Sequence, residues 1–397
     1  MNPLALTSFT ATSAIGCGLE ATRASLRAQR SGLAPCRFET VSLDTCVGEV
    51  PGVDRSGLPR EFAEFECRNN RLAWLALAQD GFTAQVAASA ARYGASRVGV
   101  FLGTSTSGIL ETELAYRRRD PQTGALPEGF SYHGAHNTFS LAAFVQRALR
   151  LAGPAVVISC ACSSSAKVFA SAARAIEAGL IDAAVVGGVD SLCLTTLYGF
   201  HALQLVSRTP CRPFDAARDG ISIGEAAAFA LLERAEGTTN AGSVRLVGTG
   251  ESSDAYHMSA PPPDGRGARA AMLQALAAAR LEPPDIGYIN FHGTGTPSND
   301  AAEGAAVASV LGAEVPGSST KGATGHTLGA AGALEAVICA LALEGEFMPA
   351  GVNTKQVDPA LPVTYLRENR RARLTRVMSN SFGFGGSNCC LILARVG

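Results

Sequence analysis

Residues 155–166 read AVVISCACSSSA, and they predict a strand, a turn and a helix in succession. Four apolar residues typical of a buried strand run into a turn of small residues and then into an Ala-rich helix that Gly179 ends. The turn places Cys162 at a helix N-terminus, where free N–H groups, the helix dipole and N-cap serines at 163–165 favour a thiolate. An arbitrary cysteine is more often a small buried apolar residue. Its position at the turn leads us to predict that Cys162 is a nucleophile with a lowered pKa.

Short β-branched runs alternate with Ala-rich stretches elsewhere, which indicates α/β layers around a largely parallel sheet. Strands are predicted at 97–101, 155–158, 183–185 and 286–291, and helices at 71–93, 163–178, 267–279 and 328–343. FLGTSTS at 101–107 resembles FHGTGTP at 291–297, although such short matches also arise by chance. Because 397 residues exceed what one core usually serves, we predict two similar halves, 1–240 and 241–397, divided in the polar segment 237–242.

Composition excludes several classes of function. The formal net charge is −1 and basic runs are limited to 117–119 and 370–373, so a clustered basic face for nucleic acid is not predicted. Those arginines are typical of a solvated surface or, less often, of a binding site for an acidic carrier protein. The apolar stretch 328–343 is interrupted by Glu335 and is expected to be too short to span a membrane.

The cysteines indicate a reducing environment. The 11 cysteines show no paired CxxC pattern, so a metal site is not predicted. The N-terminus has no positive charge ahead of an apolar core and lacks the features of a secretion signal. We therefore expect a cytoplasmic protein with reduced thiols.

A Gly/Thr-rich loop carries the first candidate partner of Cys162. His292 follows a predicted strand, a place where ligand-facing groups collect in α/β sheets. Alone, such a histidine is a bystander about half the time. The hydroxyls of Thr294 and Thr296 suit an amide-bearing arm.

Two further Gly-rich segments carry polar or aromatic candidates. Residues 319–332 contain Lys321 and His326 and are followed by Glu335, and a buried Lys–Glu pair is by itself more often a structural salt bridge. Residues 380–388 read NSFGFGGSN, which predicts a tight hairpin. In a catalytic interpretation, its backbone N–H groups form an oxyanion hole and Phe384 closes a pocket.

Four strings in this order resemble the beta-ketoacyl-acyl carrier protein synthases of the elongating type: ACSS at 161–164, HGTGTP at 292–297, KGATGH at 321–326 and GFGG at 383–386. The resemblance covers essentially the whole chain. It implies a thiolase-like α/β fold of two pseudo-symmetric halves in five αβαβα layers, working as a dimer.

The resemblance also implies roles for individual residues. Cys162 is the implied acyl acceptor, His292 and His326 complete a Cys-His-His triad, and Lys321 and Glu335 are its supporting polar pair. Thr294 and Thr296 are the implied contacts to a phosphopantetheine arm and Phe384 the gatekeeper, while Phe382 and Thr106 are expected to contact substrate, Thr106 in the acyl pocket. The implied reaction condenses a Cys-bound acyl group with malonyl-acyl carrier protein, with loss of CO₂, to give 3-oxoacyl-acyl carrier protein without a metal or redox cofactor.

Competing interpretations concern the partners and the pathway. A thiolase or an initiating synthase shares the fold, but an initiating enzyme would show Asn in place of His326. A non-catalytic subunit that shapes chain length in a heterodimer would lack the nucleophile. Cys160 and Lys167 depart from the family pattern, so fatty acid, aryl polyene and polyketide pathways stay open, as do a homodimer and a heterodimer. We also expect His326→Ala to impair decarboxylation more than acylation of Cys162.

Overall fold

The computed structural model describes residues 1–55, 57–235 and 242–396. One mixed sheet runs through the molecule, and its main strands form two sets of five. The first set is β1 (Leu4–Ser13), β2 (Val98–Gly103), β3 (Ala155–Ile158), β4 (Ala183–Asp190) and β5 (Ala226–Arg234). The second is β6 (Val244–Ser253), β7 (Tyr288–Asn290), β8 (Pro316–Ser318), β9 (Arg376–Gly383) and β10 (Ser387–Arg395).

The two sets share one topology. Their spatial orders are β3-β2-β4-β5-β1 and β8-β7-β9-β10-β6, so each set places its third, second, fourth, fifth and first strand side by side. In both, the first three strands of that order are parallel and the other neighbours are antiparallel. The similar strings at 101–107 and 291–297 lie at the ends of the equivalent strands β2 and β7. The predicted division at 237–242 falls largely outside the described residues.

The helices occupy three layers around these strands. They are α1 (Leu19–Arg27), α2 (Arg68–Leu77), α3 (Phe82–Tyr93), α4 (Ile109–Arg117), α5 (Phe139–Ala148), α6 (Ser164–Glu177), α7 (Leu194–Ala202), α8 (Arg266–Ala279), α9 (Pro297–Leu311), α10 (Lys321–Thr324) and α11 (Ala331–Gly345). Helices α2, α3 and α5 cover the first set of strands, α8 and α9 cover the second, and α6 and α11 lie between them. The five-layer α/β architecture is confirmed.

Strand side chains alternate between layers, which explains why the outer and the central helix layers have separate cores. On β2, Val98, Val100 and Leu102 face the outer helices, whereas Phe101 faces the central layer. A strand buried on both faces needs apolar residues throughout, as β2 has.

The central helices touch almost backbone to backbone. A Cβ atom on Gly332 of α11 would lie 2.7 Å from the Cβ of Ala166 on α6, closer than two non-bonded carbon atoms approach.

The stretch Leu328–Gly345 is long and apolar enough to cross a membrane by length and composition alone, so the expectation that it is too short is wrong. Because 89% of it is buried in the protein, it has the character of a core helix.

One helix prediction is also wrong. The chain forms two helices, α2 and α3, where a single helix was predicted over 71–93. Asp80 adopts a left-handed φ of 56° between them, and its carboxylate accepts hydrogen bonds from Thr10 Oγ1 at 2.7 Å and from the backbone of Leu19 at 3.1 Å. These tertiary contacts override local helix propensity.

Candidate active site

Cys162 lies in the sharp turn between β3 and α6. The preceding residue, Ala161, has a left-handed φ of 56°, a strained conformation for a residue with a side chain, and Cys162 is buried. The serines act differently from the prediction, because none of their side chains caps α6. Instead, Ser164 Oγ accepts from Cys160 N at 2.9 Å and donates to Ala161 O at 2.5 Å, which holds the turn in shape.

The structure brings both predicted histidines to the sulfur. His326 Nε2 lies 3.0 Å from Cys162 Sγ. The His292 ring stands perpendicular to the His326 ring, with their centroids 5.3 Å apart. The sulfur and one nitrogen from each ring lie within 4.8 Å of one another. Three atoms this close together are able to contact the same small reacting group. Cysteine sulfur and histidine nitrogen are also atoms that coordinate zinc in proteins.

The protonation state of the sulfur differs from the prediction. Burial raises the pKa of Cys162 to about 12, although nearby Lys321 and the backbone N–H of Phe384 lower it. Burial, together with Lys321, holds the pKa of both His292 and His326 well below the usual 6.5. The cost of removing an anion from water outweighs the stabilisation that the prediction assigned to the helix terminus. The resting pair is therefore a thiol facing a neutral imidazole that is able to accept its proton.

This assignment sets the pH dependence of Cys162 alkylation. With the thiol pKa near 12 and the imidazole pKa well below 6.5, neither group titrates between pH 6.5 and 10. We expect the rate of iodoacetamide addition to Cys162, followed by peptide mass spectrometry, to show no titration midpoint in that range. A midpoint near pH 7 would instead demonstrate the thiolate that the sequence predicted.

Lys321 and Glu335 form a buried ion pair beside His292. Lys321 Nζ contacts Glu335 Oε1 and lies 3.4 Å from His292 Nδ1. Burial raises the pKa of Glu335 to about 7 even though Lys321 lowers it. The ammonium group next to Nδ1 disfavours a second positive charge on the ring, so His292 stays neutral.

A pocket leads from the surface to these groups. Its cavity volume is about 60 Å³, and Cys162, both histidines, Thr294, Thr296, Phe382 and Phe384 line it. The hydroxyls of the two threonines lie 2.9 Å apart. The ring of Phe384 packs 5.4 Å from that of Phe200, with both rings on the pocket wall. The turn at 384–386 joins β9 and β10, as the predicted hairpin requires.

Comparison with known proteins identifies the family. Residues 59–237 match the beta-ketoacyl synthase N-terminal domain and residues 244–355 match the C-terminal domain. The chain belongs to the beta-ketoacyl synthase family. Nodulation protein E of Rhizobium meliloti (strain 1021) is 37% identical over 311 residues, which cover 76% of each chain. The 3-oxoacyl-[acyl-carrier-protein] synthase 2 of Coxiella burnetii is 34% identical over 316 residues, again 76% of each chain.

Solved structures agree with this assignment. A ketosynthase in complex with its chain length factor from Xenorhabdus doucetiae matches with a TM-score of 0.90 and 38% identity, over 100% of this chain and 98% of that one. The ishigamide ketosynthase/chain length factor matches with a TM-score of 0.90 and 29% identity over 100% of both chains. This beta-ketoacyl synthase is thus a condensing enzyme of the acyltransferase class with a thiolase-like fold.

Sequence reasoning missed two acidic residues of the synthase. The Glu303 carboxylate accepts the backbone N–H groups of His292 and Gly293, both at 2.7 Å, and Asn380 Nδ2 at 3.1 Å. Burial raises the pKa of Glu303 to about 7 despite these hydrogen bonds. One turn earlier on α9, Asp300 accepts Gly295 N at 3.2 Å and Phe214 N at 2.8 Å. Their i, i+3 spacing directly after HGTGTP was the available signal.

Thr106 does not join the other predicted site residues. It is buried outside the pocket walls, and both its N–H and its Oγ1 lie 2.9 Å from the same oxygen of Asp190. Asp190 also accepts Gly329 N at 2.5 Å. The hydroxyl of Thr106 therefore serves a buried polar cluster that ties β4 to the segment after His326.

Proposed function

We propose that this synthase catalyses the decarboxylative condensation of a Cys162-bound acyl group with malonyl-acyl carrier protein. In the first step His326 accepts the thiol proton, the sulfur attacks the acyl thioester, and the carrier leaves as a thiol that takes up that proton. In the second step the malonyl thioester loses CO₂, and the resulting enolate carbon attacks the acyl thioester on Cys162. The Cys162 thiolate that leaves takes up a proton from solvent, so the products are CO₂, 3-oxoacyl-acyl carrier protein and the regenerated thiol.

The contact of His326 Nε2 with Cys162 Sγ at 3.0 Å carries this proposal. A buried thiol with a raised pKa needs a base within hydrogen-bond reach before it reacts, and the imidazole is in that position. Two neutral imidazoles are also able to donate N–H bonds to the enolate oxygen as it forms, each worth about 3 kcal/mol in the transition state. The chemistry needs neither a metal nor a redox cofactor.

The same contact argues for a catalytic chain over a chain-length-shaping subunit. Both solved structures described above are complexes that contain a chain length factor. We therefore propose two assemblies for this chain, a heterodimer with a related subunit and a homodimer. A subunit without chemistry has no need for a thiol, a base at 3.0 Å and a buried Lys–Glu pair.

We place the synthase in the cytoplasm, with substrates carried on the phosphopantetheine arm of an acyl carrier protein. All 11 cysteines lie in the described residues and are free thiols, which supports a reducing compartment. Thr294 and Thr296 present hydroxyls along the pocket, where the amides of such an arm would pass.

A reconstituted assay tests the proposed reaction. The purified protein is incubated in EDTA with malonyl-carrier protein and a panel of saturated, unsaturated and aryl acyl-carrier proteins. We expect 3-oxoacyl-carrier protein and an equal amount of CO₂, with one class of acyl group preferred, and only the Cys162 adduct when malonyl-carrier is omitted. Absence of an adduct with every acyl group would assign the chain to the non-catalytic class, and loss of activity in EDTA would assign the triad to a metal.

A further inference from the structure

His326 lacks the side-chain hydrogen bond that usually orients a catalytic imidazole. Its Nε2 faces Cys162, but within the described residues its buried Nδ1 has no hydrogen-bond partner. Active-site imidazoles usually donate their second ring N–H to a carboxylate or carbonyl, which fixes the ring. The position of Nε2 therefore depends on where the backbone of His326 is held.

The segment 222–224 holds that backbone from both sides. His326 N donates to Ser222 O at 2.7 Å, and Gly224 N donates to His326 O at 3.0 Å. Residues Ile223–Gly224 in turn pair in parallel with Cys46–Gly48. A Cβ atom on Gly224 would lie 2.2 Å from Thr324 O, so this small sheet is pressed directly against the loop before His326.

Glu225, the next residue, fastens this segment to the rest of the first half. It is fully buried, and its carboxylate accepts Val50 N and Leu192 N, both at 2.9 Å. The same carboxylate binds Arg68 through Nε at 2.9 Å and a terminal nitrogen at 2.7 Å. One acidic group thus joins Val50, just after the strand Cys46–Gly48, to the start of the loop after β4 and to the first turn of α2.

Arg68 is held as firmly as its partner. Its side chain is 2% exposed, and its remaining nitrogen, Nη1, contacts Asp54. The Nη2 that binds Glu225 also lies 3.3 Å from Glu49 Oε1, and the guanidinium carbon lies 4.9 Å from the ring centre of Phe38. A buried ion pair is weak evidence for stability, since an apolar pair of similar volume often stabilises as well. A bidentate pair that also binds two backbone N–H groups permits few alternative arrangements, so it contributes geometric definition.

We propose that the Arg68–Glu225 ion pair is a positioning element for His326, which sets the distance from Nε2 to Cys162 Sγ through the segment 222–224. Neither residue lines the pocket, so the effect is transmitted by the backbone. The inference deepens the proposed function, because it rests on His326 being the group that accepts the thiol proton.

Glu225→Gln and Arg68→Lys test this role in the full-length protein. Displacement of a catalytic group by about 1 Å costs up to about 100-fold, so we expect kcat to fall by about tenfold or more while KM for the acyl carrier stays within about twofold. The matched control is Glu233→Gln, a buried carboxylate on β5 that binds Ser89 Oγ at 2.9 Å, away from the pocket. It is expected to leave kcat within about twofold of the wild type.

A double-mutant cycle separates positioning from general damage. The rate of iodoacetamide addition to Cys162 at pH 7.5 is measured for each variant alone and combined with His326→Ala. We expect Glu225→Gln to slow alkylation by about tenfold in the wild-type background and to have no further effect once His326 is absent. Equal slowing in both backgrounds, or unchanged kcat in folded variants, overturns the proposal.

The alkylation cycle can be read independently of the condensation assay. Alkylation needs no carrier protein, so a chain that fails to condense but shows the expected cycle would refute the proposed function and keep the positioning role. Circular dichroism melting establishes which variants fold. Arg68→Lys keeps opposite charges in the buried pair, and it decides the question if Glu225→Gln does not fold.

Discussion

Replacement of Cys162 by alanine is expected to abolish condensation while the protein stays folded. Removing the nucleophile of a covalent mechanism commonly costs about 10⁴-fold or more, and no other cysteine lines the described pocket. The lost sulfur leaves a small cavity next to the imidazoles, so stability should fall by about 1 kcal/mol or less. Intact-mass spectrometry after incubation with acyl-carrier protein measures the adduct, and circular dichroism measures the fold.

Cys193→Ala is the matched control for this experiment. Cys193 is also a buried free thiol, but it lies at the start of α7, where its Sγ is 3.3 Å from Thr196 Oγ1 and outside the pocket lining. It should retain the acyl adduct and most of the activity. An adduct of unchanged yield on Cys162→Ala would show that another residue carries the acyl group.

Replacement of His326 by alanine is expected to impair both half-reactions. The sequence alone led us to expect a larger loss in decarboxylation than in acylation. The structure changes that expectation, because Nε2 touches the sulfur and the thiol pKa is about 12, so the acyl-transfer step also needs the imidazole. Loss of a general base costs about 10²–10⁴-fold, and loss of one enolate donor costs about 10²–10³-fold.

Single-turnover measurements separate the two steps for this variant. Acylation is followed by the mass of the Cys162 adduct, and decarboxylation by ¹⁴CO₂ release from labelled malonyl-carrier protein. His133→Ala, which removes an exposed histidine outside the pocket, serves as the control with wild-type rates. Full-rate acylation in His326→Ala would contradict the assignment of His326 as the base and would leave only its role at the enolate.

The sequence was sufficient to predict the layers and most of the side chains that the structure brings together in the pocket. Cys162 and His292 each follow a strand in a short Gly- or Ser-rich turn, whereas His326 follows the short helix α10. All three side chains line one shared pocket. Lys321 and Glu335 also meet as the pattern indicates.

The remaining features depend on contacts that a linear pattern does not contain. The raised pKa of Cys162 comes from enclosure by distant segments, and a helix terminus alone predicts the opposite direction. Glu303 lies in the second turn of α9, and the structure reveals its role because its carboxylate accepts the backbone N–H of His292. Thr106 was assigned to the acyl pocket because residues 101–107 resemble residues 291–297, but its hydroxyl donates a hydrogen bond to the Asp190 carboxylate.

The close approach of Gly332 to Ala166 links the packing of helices α6 and α11 to the chemistry of the pocket. Ala166 is four residues beyond Cys162 and Gly332 is six residues beyond His326, so the spacing of these two small residues sets how near the sulfur stands to its base. A methyl group added at Gly332 would lie 2.6 Å from the backbone nitrogen of Ala166, so the two helices would have to move apart, which would cost stability as well as reactivity. Both the packing of the fold and the geometry of the reaction therefore require this pair of residues to be small.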